Sequence, residues 1–144
     1  MKNLYLIGYG KWGKVIHDAC KKIKNILKIR IKKNRLDKKN INLDFIDWVF
    51  ITTNTNQHYG LVKKYLNKKI NVFCEKPLTT NFLKNKELFK LAKKNNCKLY
   101  VSDIENYKNI RLDLKSINYI IRSKFSKNKA DILNRLAYHD FTYI

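Results

Sequence analysis

The chain has 144 residues, about one domain's worth, of which 44% are apolar, and it lacks the run of ~18 apolar residues needed to cross a bilayer. Cys20, Cys74 and Cys97 show no CxxC spacing. They read as reduced thiols acting as small hydrophobes, and with no signal peptide or membrane partner indicated they predict a cytoplasmic protein. The net charge of +21 raises a nucleic-acid reading, but the basic residues are mostly lysine and are spread along every segment, so no specific nucleic-acid partner is expected.

In chain order, "NLYLIG" is a short apolar run ending in glycine and predicts a strand. "KWGKVIHDACKKIK" follows as a helix, with Val15, Ile16, Ala19, Cys20 and Ile23 at helical spacing. "ILKIRI" (residues 26–31) alternates apolar and basic positions, as a second strand does. Residues 32–44 are polar and weakly patterned. "DWVFITT" (residues 47–53) is a dense β-branched and aromatic run, the signature of a buried strand. "NQHYGLVKKYLNK" is helical, with Leu61, Val62, Tyr65 and Leu66 on one face. "INVFC" (residues 70–74) is the next strand. In "TNFLKNKELFKLAKKN", Phe82, Leu83, Leu88, Leu91 and Ala92 are expected to face inward, with Thr80 or Asn81 as the helix cap. "KLYVS" and "INYIIRS" (residues 117–123) read as strands and "KADILNRLAYHDFTYI" as a closing helix. Strands alternating with helices predict a three-layer, doubly wound Rossmann-like α/β domain with a mostly parallel sheet.

Within that frame Gly8, Gly10 and Gly13 spell "GYGKWG", a full G-x-G-x-x-G between a predicted strand and a predicted helix. Gly8 permits a tight turn, Gly10 a close backbone approach to a pyrophosphate, and Gly13 helix–strand packing. Lys11 and Trp12 stand at the opening of the helix, whose free N–H groups suit phosphates. An acid that would hold the ribose hydroxyls of NAD is expected ~20 residues after the glycines. Here that region reads "IKKNRL", and Asp37 is the nearest acid. Lys33 and Arg35 would instead pair with a 2′-phosphate, which favours NADP over NAD as the cofactor.

Three segments, "GYGKWG", "DWVFITTNTNQHYGLVKKYL" and "INVFCEKPLTTN", resemble in order and spacing the N-terminal half of the Gfo/Idh/MocA oxidoreductases. In that family a Thr-Pro-Asn-like turn follows one strand and a His opens the next helix. Thr53-Asn54 and His58 stand at those positions, and Glu-Lys-Pro follows the next strand as Glu75, Lys76 and Pro77. The resemblance implies that Thr53, Asn54, His58, Glu75 and Lys76 join the glycines at the cofactor. Glu75 would hold a ribose, and Lys76 would face the nicotinamide and move the proton of a sugar-type substrate hydroxyl. It also implies a second catalytic group at His139. No metal ligands are expected.

The chain also departs from that pattern. About fifteen residues cross a gap where the family fits a further helix and strand, so one strand–helix unit is expected to be trimmed. Arg135 stands where an Asp often precedes the family's helix histidine by one turn. Residues 1–105 are read as the NAD(P)-binding domain. Residues 106–144 are read as a strand and helix left from the second domain, packed on the same unit. The C-terminal segment, with Leu133, Leu136, Phe141 and Ile144, suggests a homo-oligomer or a partner chain. Three functions follow: an NAD(P)-dependent oxidoreductase acting on a sugar, inositol or sugar-nucleotide hydroxyl or carbonyl; a catalytically degenerate nucleotide- or partner-binding module; and, less well supported, a basic nucleic-acid-binding protein.

Overall fold

Five apolar segments lie side by side in one sheet in the computed structural model, which describes residues 1–33 and 42–103. The elements are β1 (Lys2–Ile7), α1 (Lys11–Lys21), β2 (Ile26–Lys32), β3 (Trp48–Ile51), α2 (Thr55–Asn67), β4 (Asn71–Glu75), α3 (Phe82–Lys94) and β5 (Leu99–Ser102). The sheet order is β2-β1-β3-β4-β5. Each pairing between neighbours is parallel, so "NLYLI" and "NVFC" belong to the same sheet, as the sequence predicts.

A parallel neighbour requires a crossover, and such crossovers are right-handed. The step from β1 to β2 runs one way across the sheet, and the steps from β3 to β5 run the other way. The helices therefore divide between the two faces. α1 packs on β1 and β2, whereas α2 packs on β3, β4 and α3, giving three layers. Most of the stretch between β2 and β3, on which the expected trimming of one unit falls, lies outside the described residues. The predicted strand over residues 117–123 and the closing helix lie outside the described residues.

The main core follows from strand alternation. Val49 and Ile51 of β3 and Val72 and Cys74 of β4 point to one face, where Val62, Tyr65 and Leu66 of α2 and Leu88 and Ala92 of α3 meet them. Tyr5 of β1 meets the ring of Tyr65 edge-on, with centroids 6.1 Å apart. Burial pushes the Tyr65 phenol up to about 12 and raises the Cys74 thiol well above its ordinary range, which makes the latter an inert packing group. The alternate residues of the same strands form an aromatic layer on the opposite face. Phe50 stacks on Phe73 with centroids 4.8 Å apart, and Trp48 on Tyr100 at 5.8 Å. Among the described residues no helix is long and apolar enough to cross a membrane.

Two inward faces differ from the sequence reading. α1 ends at Lys21, and its buried residues are Gly13 and Cys20; Val15, Ala19 and Ile23 are exposed. In α3, Asn81 is the cap, accepting from the Lys84 N–H at 3.0 Å, while Phe82 and Leu83 are exposed. At ~100° per residue they stand about 120° and 140° around the helix from buried Leu88, so the turn that starts the helix points them away from the sheet.

Asp47 ties the start of β3 to the start of β1. Its Oδ2 accepts from the Asn3 backbone N–H at 2.7 Å, and its Oδ1 accepts from Lys2 Nζ at 3.0 Å. The Asn3 hydrogen bond, helped by Lys2, holds the carboxyl below its ordinary range. A group depressed in the folded state adds stability above its unfolded-state value and loses it as pH falls through the folded-state value. Asp47→Asn should therefore lower stability by about 1 kcal/mol at neutral pH, with the difference from the parent vanishing as the pH drops below about 4. Urea denaturation at several pH values measures this.

Candidate functional site

All five strands run the same way, so their carboxyl ends share one edge of the sheet. The chain leaves β1 towards β2 on one side, and β3 begins the run to the other side. The carboxyl ends of β1 and β3 therefore flank the point where the winding reverses, and in open α/β sheets ligands bind outside that point.

The turn after β1 is held against β3 by contacts too close for side chains. Gly8 has φ of +94°, and a Cβ there would stand 2.8 Å from the carbonyl carbon and oxygen of Thr52. A Cβ on Gly13, in the first turn of α1, would lie 2.3 Å from the Gly8 carbonyl oxygen and 2.9 Å from Thr52 Oγ1. The Thr52 N–H donates to the Ile7 carbonyl at 2.9 Å, and its hydroxyl reaches the Gly8 carbonyl at 2.8 Å. Thr52 was not among the residues singled out from the sequence. A threonine directly after a β-branched strand was the available signal, and its partner, 44 residues earlier, was hidden.

Gly10 behaves differently. Nothing lies within 4 Å of the position its Cβ would take, so the space in front of it is open. It is the N-cap of α1, and no side chain caps the helix, whose first turn contains no acid. The free N–H groups of that turn and the positive end of the helix dipole remain available to an anion. Just after β3, Thr53 Oγ1 is buried and has no hydrogen-bond partner among the described residues. An uncapped helix start, an unfilled space and an orphaned hydroxyl at one switch point fit a phosphate-bearing, hydroxyl-rich ligand such as a dinucleotide.

The turn after β4 completes the edge. Glu75 is the last residue of β4, Lys76 is half-buried, the Lys76–Pro77 peptide is cis, and Leu78 is buried in the core. Trp12 in the first turn of α1 donates its indole N–H to Glu75 Oε1. This bond joins the glycine turn to the Glu-Lys-Pro turn across the end of β3.

The structure thus brings Gly8, Gly10, Lys11, Trp12 and Gly13 after β1, Thr53 and Asn54 after β3, and Glu75 and Lys76 after β4 to one edge. Lys33 follows β2 at the same edge. Arg35 and His139 lie outside the described residues. His58, expected at the cofactor, is buried beneath the turns after β3 and β4. It is 1% exposed, its Nδ1 meets the Pro77 carbonyl at 2.9 Å, and its Nε2 meets the Thr53 carbonyl at 3.0 Å. Carbonyls only accept, so each bond needs a proton on its nitrogen, and the neutral ring supplies one of the two. Both ring nitrogens of His58 thus face backbone carbonyls, one from the turn after β3 and one from the turn after β4.

Comparison with known proteins agrees with this geometry. The sequence pattern of the Gfo/Idh/MocA oxidoreductase family, NAD-binding Rossmann fold, matches residues 21–103. An uncharacterized oxidoreductase of Schizosaccharomyces pombe is 43% identical over 68 residues, which are 47% of this chain and 17% of that protein. A probable dehydrogenase from Thermotoga maritima has a similar fold, with a TM-score of 0.65 and 24% identity over 73% of this chain and 37% of that one. Biliverdin reductase from Synechocystis, solved with biliverdin and NADP+, matches with a TM-score of 0.61 and 19% identity over 73% of this chain and 39% of that one. The chain thus spans well under half the length of these proteins.

The contacts around the glycines set opposite outcomes for two alanine substitutions. Gly13→Ala drives a methyl into the Gly8 carbonyl and should cost about 3 kcal/mol. Gly60→Ala, on the exposed side of α2 with nothing within 4 Å, should stabilise by about 0.5–1 kcal/mol. Denaturant midpoints of the two variants check both signs.

Proposed function

The chain belongs to the Gfo/Idh/MocA oxidoreductase family, and we propose that it binds NADP(H) at the edge described above and serves hydride transfer at a sugar-type hydroxyl or carbonyl. The observation that carries this reading is the uncapped start of α1, with open space at Gly10, at the winding reversal of the sheet. Backbone N–H groups there would hold the pyrophosphate. Lys33 directly after β2, with Arg35 beyond it in sequence, supports a 2′-phosphate, since no acid stands at that point. Thr53 Oγ1 and the Glu75 carboxylate are the groups offered to ribose hydroxyls.

When bound, the dinucleotide supplies the redox chemistry by accepting a hydride from the carbon that carries the substrate hydroxyl. Lys76 handles the accompanying proton. It hydrogen-bonds the reacting oxygen, takes the hydroxyl proton as the carbonyl forms, and returns one in the reverse direction. A positioned group of this kind contributes typically ~10²–10⁴-fold. The family resemblance gives His139 the second proton-handling role; Arg135 stands four positions before it in sequence, where the family often has an Asp, and both lie outside the described residues. The substrate class is supported by the resemblance alone.

Calorimetric titration with NADPH and NADH tests the reading. NADPH is expected to bind more tightly than NADH. Gly10→Val, which fills the open space, should weaken NADPH at least tenfold, and Lys76→Ala should leave the affinity within about threefold. Absent binding of both cofactors, or binding indifferent to Gly10→Val, would overturn it.

A further inference from the structure

We infer that Trp12 is a positioning residue for the cofactor's nicotinamide-side ribose: its indole fixes the Glu75 carboxylate for a vicinal diol without neutralising it. The inference rests on the dinucleotide reading above and extends it to a residue which that reading leaves without a role. Trp12 stands in the first turn of α1 and Glu75 ends β4. In the sheet order β3 lies between the strands that lead to them, so the two backbones are separated by two strand spacings, roughly 10 Å. Only a long side chain bridges that gap, and the indole does so across the end of β3, where Thr53 Oγ1 is buried without a partner among the described residues.

The chemistry of the pair is specific. Indole N–H is a donor only, and an ionised carboxylate is an acceptor only with two oxygens. The Trp12 bond engages Oε1 and leaves Oε2 for further donors. A neutral donor matters in a chain of net charge +21, where lysines are the abundant alternative partner. A lysine would hold Glu75 by cancelling its charge. Tryptophan orients the carboxylate and leaves the full negative charge to strengthen hydrogen bonds from two adjacent hydroxyls. It also removes rotamer freedom from Glu75 before the ligand arrives, which is the basis of preorganised binding. Trp12 is 41% exposed, so its role is not that of a core residue, and a smaller ring can replace it without opening a buried cavity.

The test uses the full chain and two probes by calorimetry: NADPH, and adenosine 2′,5′-bisphosphate, which lacks the nicotinamide ribose. Trp12→Phe keeps a ring and removes the donor. It is expected to weaken NADPH about five- to tenfold and to leave the bisphosphate within twofold. Glu75→Gln should weaken NADPH similarly, and the double variant should be no more than twofold worse than the weaker single variant, because the two residues act as one unit. The Trp12 indole N–H resonance of the ligand-free protein should shift in Glu75→Gln, while the thermal midpoints of both variants stay within a few degrees of the parent. NADPH affinity unchanged in Trp12→Phe, effects that multiply in the double variant, or equal losses for both probes would overturn the inference while leaving the dinucleotide reading intact. Failure of the parent chain to bind either probe would instead overturn the dinucleotide reading itself.

Discussion

Three backbone segments meet at the carboxyl end of β1, and the rest of the structure depends on how closely they do so. The Gly8 carbonyl, the first turn of α1 at Gly13 and the end of β3 at Thr52 share a space that admits no Cβ on either glycine. Interiors are packed to the density of organic crystals, so a single methyl at this junction cannot be absorbed by side-chain adjustment when its neighbours are backbone atoms. Because the turn is this tight, α1 starts immediately beside the end of β3. Its uncapped N–H groups then face the same edge as Thr53, Glu75 and Lys76. A looser turn would leave the helix start and the Glu-Lys-Pro turn too far apart for Trp12 to reach Glu75.

The second organising feature is how a chain with few carboxylates uses them. Several sit at junctions between elements rather than within one. Asp47 joins the starts of β3 and β1, Glu75 joins the end of β4 to α1, and Glu87 of α3 accepts from Tyr59 and Lys63 of α2 at 2.8 and 2.7 Å. The Lys63 and Tyr59 contacts hold the Glu87 carboxyl below its ordinary range, but the pair is exposed, and salt and water screen such surface ties. The lysines that dominate the composition otherwise leave the fold to hydrophobic packing. Lys63 and Lys84 set their ammonium groups over the Tyr59 ring, and Lys64 over that of Tyr65.

His58 shows how support for the site reaches into the core. Its ring lies between two carbonyls, one from each of the turns that present Thr53 and Lys76, and it sits 1% exposed beneath them. The spacing relative to Thr53-Asn54 marks the residue in the sequence, but its direction is set by packing. The fourth residue of α2 falls on the helix's inward side, in line with Val62, Tyr65 and Leu66. A histidine in a family motif reads as a ligand group from sequence alone, and here the helix phase turns it towards the core.

The sequence by itself determined the alternation of strands and helices, the glycine turn and the Glu-Lys-Pro turn, because each is written in local chemistry. Period-2 and period-3.6 apolar patterns, a G-x-G-x-x-G between them and Glu-Lys-Pro at the only proline in the chain are each readable within a dozen residues. What the sequence left open were relations between residues far apart in the chain: the register that sets Thr52 against Gly8, the indole of Trp12 on Glu75, and the outward turn of Phe82 and Leu83. Those were decided only by the tertiary structure. Parallel pairing brings together segments more than 20 residues apart, and a helix's inward face is fixed by the sheet it lands on rather than by its own list of apolar residues.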